Sequence, residues 1–159
     1  MLSRMHSDLS RRHDHAFERV GFLFAKVSSS KQVCQARNYH PVLDNHYNRS
    51  IRFGAEINSA AFRRAMQHSL TTGLSAFHVH RHDHTGHPRF SADDMQESRR
   101  FVPDFFNVTP HGIHGAILLS LDSCEGQFWT EDSADCAPID EIAVIGNPTR
   151  VHFHNENLA

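Results

Sequence analysis

Cysteine is scarce in this chain. The three cysteines, Cys34, Cys124 and Cys136, lie far apart and form no C-x-x-C. A scattered, odd set argues against a disulfide framework or a cysteine-based zinc knuckle. It suits free thiols in a reducing compartment, buried or half-buried as small hydrophobes. Long apolar runs are missing too, and none nears the roughly 20 residues that a membrane-spanning helix needs. The opening residues, MLSRMHSDLSRRHDHAF, lack the apolar core of a signal peptide, so a cytoplasmic location is expected. Neither sign of charge dominates. Sixteen Lys and Arg against eighteen Asp and Glu leave a formal net charge of -2. That balance gives no electrostatic reason to expect nucleic acid or an anionic membrane as a partner.

What is present is ordinary in bulk and unusual in one place. The chain has 159 residues, 39% hydrophobic and 21% charged, enough for a single domain with one substantial core. Five of its fifteen histidines fall within AFHVHRHDHTGHPRFSADDMQ, from Ala76 to Gln96.

Local patterns predict helices interleaved with strands. Leu2–His13 reads as a short polar helix, and Glu18–Val27 as a buried strand with an antiparallel partner in Lys31–Leu43. Ile51–Ile57 alternates like a half-buried strand. Asn58 is a natural N-cap for SAAFRRAMQHSLTT, with Phe62, Ala65, Met66 and Ser69 on one face and Gly73 as the stop. Leu74–His80 reads as a short apolar strand, followed by a loop containing Gly86 and Pro88. Ser91 opens a helix over ADDMQESRRFVPDFF whose acidic first turn suits the helix dipole. His114–Asp122 and Glu125–Asp132 form a predicted hairpin, Ile139–Gly146 one more strand, and the last residues a frayed polar tail. The expected fold class is α/β or α+β, built on one mixed sheet, with its core over about 16–149.

Residues two apart on a strand point to the same face, so His78 and His80 can converge on one ion while Val79 enters the core. Ser91 and Asp94, three apart, share a helix face. Two imidazoles and a carboxylate leave one tetrahedral position open, as in catalytic zinc sites. Such chemistry also wants a proton shuttle. Glu18 is the candidate, because a charged group opening an apolar run calls for a functional or capping reason. Glu56 competes but stands just before a helix, where it suits the dipole. Ser91 is placed to donate to the oxyanion of a tetrahedral intermediate. His82, His84 and His87 read as loop residues, solvated or facing substrate. H-E-x-x-H and H-x-E with P-C-x-x-C are absent, which argues against the common zinc proteases and nucleoside deaminases.

The order of an early Glu on an apolar strand, H-x-H, S-x-x-D and then HGAILLSLD resembles the JAMM (JAB/MPN) metalloproteases. The phrases HVHRHDHTGHPRFSADD and FVPDFFNVTPHGIHGAILLS bring it closest to the bacterial JAB branch associated with ubiquitin-like conjugation operons. The resemblance covers roughly Ala16 to Trp129. It implies a curved mixed β-sheet flanked by helices, of deaminase-like architecture. It implies one zinc ion per chain held by His78, His80 and Asp94, with Glu18 as general base and then acid and Ser91 as oxyanion stabiliser. It also implies a deubiquitinase-like isopeptidase that cleaves after the tail of a ubiquitin-like protein, in maturation or deconjugation. The implied partners are that modifier, its conjugates and operon-encoded activating and conjugating enzymes, in a setting of antiviral defence. Two departures stand out: Arg81 follows the second His where better-known members carry Pro, and ten residues, Arg81 to Phe90, separate it from Ser91. The alternatives are a non-catalytic MPN-like binding module, a His/His/Asp non-haem iron site, and loose metal storage by the histidine tract.

Overall fold

Residues 1–14, 16–49, 54–131, 135–146 and 148–154 are described in the structure, a computed structural model. Helix α1 (Leu2–Leu9) precedes strands β1 (Val20–Val27) and β2 (Cys34–Pro41). Helix α2 (Ser59–Thr72) leads into β3 (Ser75–Arg81), and α3 (Ala92–Phe106) leads into β4 (Ile113–Leu119) and β5 (Cys124–Thr130). Three short strands follow: β6 (Ala137–Pro138), β7 (Glu141–Val144) and β8 (Arg150–Phe153).

The fold is mixed α/β. Six strands form one sheet in the order β2-β1-β3-β4-β5-β6, and β7 pairs with β8 alone. Only β3 and β4 run parallel, and a parallel pair needs a crossover, which α3 supplies. All other neighbours are antiparallel. Among the described residues, no helix is long and apolar enough to cross a membrane.

Each helix lies where its local chemistry puts it. Asn58 Oδ1 accepts from the backbone N–H of Ala60 (3.0 Å) and Ala61 (3.4 Å) at the start of α2. Gly73 ends that helix at φ 67, a left-handed conformation that favours glycine. Ala61, Ala65 and Ser69 are the buried side of α2, with Phe62 and Met66 packed beside them. With Phe105 of α3, they cover the sheet face that carries Phe22, Phe24 and Ala76. The other face carries Phe77, Val79, Ile117 and Leu119, covered by Met5 and Leu9 of α1. Strand alternation therefore sends Ala76, His78 and His80 to the α2/α3 side and Phe77 and Val79 to the α1 side.

Several expectations change. Helix α1 ends at Leu9, not His13, because the carbonyls of Arg11 and Arg12 accept from the buried Arg19 guanidinium (2.8 and 3.0 Å). Met5 and Leu9 are core residues, so the packed unit begins before residue 16. Residues 51–53 of the expected Ile51–Ile57 strand lie outside the described residues. Gly54 to Glu56 form no strand, and Ile57 makes only an isolated bridge to Tyr47. The edge strands of the six-stranded sheet are β2 and β6. The strand expected over Ile139–Gly146 shortens to β7 and joins the small second sheet. Its partner is β8, in what reads from sequence as a frayed tail. Cys34 is exposed, while Cys124 is buried and Cys136 half-buried, all as free thiols.

Candidate metal centre

Strand register decides which histidines meet Glu18. In the antiparallel β1·β3 pair, Phe22 stands opposite His78, Gly21 opposite Val79, and Val20 opposite His80. Continued two residues beyond the paired segment, the same register places Glu18 beside His82. The side chains follow: donor atoms of Glu18, His80 and His82 all lie within 4.8 Å of one another. His82 comes one residue after β3, yet its N–H donates to Leu119 O (2.9 Å) and prolongs the parallel ladder with β4. The group thus sits at the carboxyl end of the parallel strands, where open α/β sheets place their ligands.

Asp94, at the start of α3, stands beside the two histidines of this group. The Ser91 hydroxyl donates to Asp94 Oδ2 (2.7 Å), the Ser91 N–H donates to the same oxygen (2.8 Å), and the Asp94 N–H donates back to Ser91 Oγ (3.1 Å). This capping box fixes the carboxylate and turns Oδ1 toward His80 Nε2, 3.1 Å away. His82 Nε2 lies 3.9 Å from Asp94 Oδ2. Burial alone would raise the Asp94 pKa, but His80 and the two Ser91 donors outweigh it and hold the carboxyl below its ordinary value. Glu18 is half-buried, its N–H bonded to Gly54 O (2.8 Å). A Cβ on Gly54 would stand 2.5 Å from Glu18 Oε2, so glycine there leaves room for the carboxylate.

The expected pair, His78 and His80, is not the pair that stands with Glu18: His80 and His82 are. The structure does not bring His78 into the group. It lies deeper on the strand, its ring 5.7 Å from Phe22 and 5.2 Å from Phe101. Burial there, aided by neighbouring His80, pushes its pKa down to about 3, so it is a neutral imidazole in an aromatic layer. His82, read from sequence as a loop residue, takes the place beside His80. Eight residues, 83–90, separate His82 from Ser91. The signal was present in the sequence: H-V-H-R-H continues the same alternation one step further. Ser91, expected to steady an oxyanion, has its hydroxyl on Asp94 Oδ2 in this structure. Glu56 stays outside, exposed and accepting from Asn48 Nδ2 (3.0 Å). His84 is exposed, and His87 turns toward Glu125.

The donor set fits a divalent ion. His80 is 4% exposed, and neither ring nitrogen has a hydrogen-bond partner among the described residues. An imidazole in that state normally costs stability. It is explained if one nitrogen is kept for an ion shared with the carboxylate beside it. Imidazole and carboxylate donors suit zinc and other first-row metals. The fold and the site together define a mixed α/β protein with a possible metal-binding triad of Glu18, His80 and His82. Compared with known proteins, the chain matches no family model and no curated sequence.

Proposed function

We propose that this protein is a zinc-dependent isopeptidase that cleaves after the C-terminal tail of a ubiquitin-like modifier. The reading is supported above all by a buried His80, whose ring nitrogens make no hydrogen bond among the described residues, beside His82, Asp94 and Glu18 at one end of the sheet. Three of these side chains, His80, His82 and Asp94, would hold the metal, and Glu18 is the carboxylate left for proton transfer. A zinc ion held there supplies Lewis acidity and a water whose pKa falls to about 7.

The protein's own groups do the rest. Glu18 takes a proton from the attacking water as a C–O bond forms at the modifier's terminal carbonyl. It returns that proton to the lysine amine as the C–N bond breaks. Ser91 keeps Asp94 in place through the capping box. His78 packs beside the ligands against Phe22 and Phe101, and these apolar rings lower the local dielectric, which strengthens charge interactions in the site. The resemblance to the bacterial JAB branch supplies the substrate class and the role beside activating and conjugating enzymes in antiviral defence. Purified protein should cleave a modifier–lysine conjugate, stop on chelation and recover with zinc. Zinc-loaded protein that leaves both conjugates and modifier precursors intact overturns the reading.

A further inference from the structure

We propose a second divalent-metal site, formed by His87, Glu125 and His154, which fastens the loop after β3 to the C-terminal hairpin. Glu125 lies on β5 and is only 8% exposed. Its Oε1 is 3.5 Å from His154 Nδ1, and its Oε2 is 4.0 Å from His87 Nε2. Neither Oε2 nor His154 Nδ1 has a hydrogen-bond partner among the described residues. A buried carboxylate oxygen without a hydrogen bond is costly, and a positive charge beside it offsets that cost. A cation between the two imidazoles provides it.

The chemistry of the three donors selects the ion. Two imidazoles and one carboxylate form a set suited to zinc and neighbouring first-row metals, with water completing the shell. Each imidazole nitrogen lies beside a different carboxylate oxygen, as expected when the carboxylate binds through both oxygens between two nitrogen donors. In a tetrahedral zinc site neighbouring donors stand roughly 3.3 Å apart; the three donors here are spread more widely than those of Glu18, His80 and His82, so both imidazoles must turn inward to reach one ion.

The three residues come from separate parts of the chain. His87 belongs to the loop that runs from the first site to Ser91, and that loop is also held by Gly86 N–H on Asp122 Oδ1 (2.7 Å). His154 follows β8 directly, with its N–H on Asp140 O (2.9 Å). Beside it, His152 Nδ1 lies 3.3 Å from Ser123 Oγ, so the hairpin already touches the β4–β5 turn. A metal at Glu125 would lock these two segments to the sheet.

Zinc retained after chelation, reloading and dialysis tests this, measured on full-length protein without an affinity tag. Wild type is expected to keep two ions per chain. His87→Ala, Glu125→Gln and His154→Ala should each keep one, and His80→Ala in the same background should lose that one as well. Wild type with a single ion that only the His80 or His82 variant loses overturns the second site and leaves the first standing. Loss of one ion in His154→Ala with no loss in His82→Ala does the reverse. If Glu125→Gln fails to fold, His154→Ala decides, because that side chain, 21% exposed, is less buried than Glu125.

Discussion

His80 and His114 are both buried histidines, one on β3 and the other on neighbouring β4, and they are held in opposite ways. His114 is fully satisfied: Nδ1 accepts from the Ala76 N–H (3.0 Å), so Nε2 carries the proton and donates to Thr109 O (3.1 Å). Its ring stacks on Phe105 and meets Phe106 edge-on. His80 has neither bond, and has instead a carboxylate oxygen 3.1 Å away and two further donor side chains at hand. The lesson is that burial does not distinguish a core histidine from a ligand. The test is where the two ring nitrogens are spent.

Breaking the reactive side should give the largest effect. Glu18→Gln removes the proton shuttle, and hydrolysis of a modifier conjugate should fall about 10³-fold while zinc content holds. Undiminished activity in that variant excludes the assigned role. Breaking the structural side should show in stability. Burial lowers the His114 pKa to about 4 from 6.5, and the unfolded chain therefore binds more protons between those values. The stabilisation is complete above pH 6.5 and is lost as pH falls toward 4, on the order of 3 kcal/mol across that window. Denaturant unfolding at a series of pH values should show this slope flattened in His114→Gln relative to wild type.

Smaller changes sharpen the boundary between the two histidines. Gly54→Ala would push a methyl group into the Glu18 carboxylate. A displacement of about 1 Å should cost roughly 10²-fold in activity with little change in melting temperature. An equal loss of stability and activity would instead mean that Gly54 serves the fold. Ser91→Ala removes the N-cap of α3 and one anchor of Asp94. It should lower unfolding stability by about 1 kcal/mol and weaken zinc affinity, whereas Ser91→Asp should restore the cap more fully than the metal affinity. Calorimetric titration with zinc separates the two effects.

Local chemistry was legible in the sequence, and pairing was not. Asn58 and Gly73 bound α2, and Ser91 with Asp94 announced the capping box, because caps depend on residues three or four apart. Glu18 was legible as a charged residue opening an apolar run. The choice between His78 and His82 was not, since alternation puts both on one face. Only the β1·β3 register, which sets Phe22 opposite His78, tells them apart, and register is a property of two distant segments. β8 was missed for a similar reason. R-V-H-F looks polar and terminal until β7 is there to pair with it. The end of α1 depended on Arg19, which reaches back to two carbonyls from eight and seven residues away.

In the proposed site the ligand histidines are His80 and His82, and His78, half-buried against Phe22 and Phe101, is not a ligand. Zinc content of dialysed His82→Ala and His78→Leu, measured beside wild type, tests it most directly. His82→Ala is expected to lose one ion per chain while His78→Leu loses none. One ion lost from His78→Leu and none from His82→Ala would contradict it.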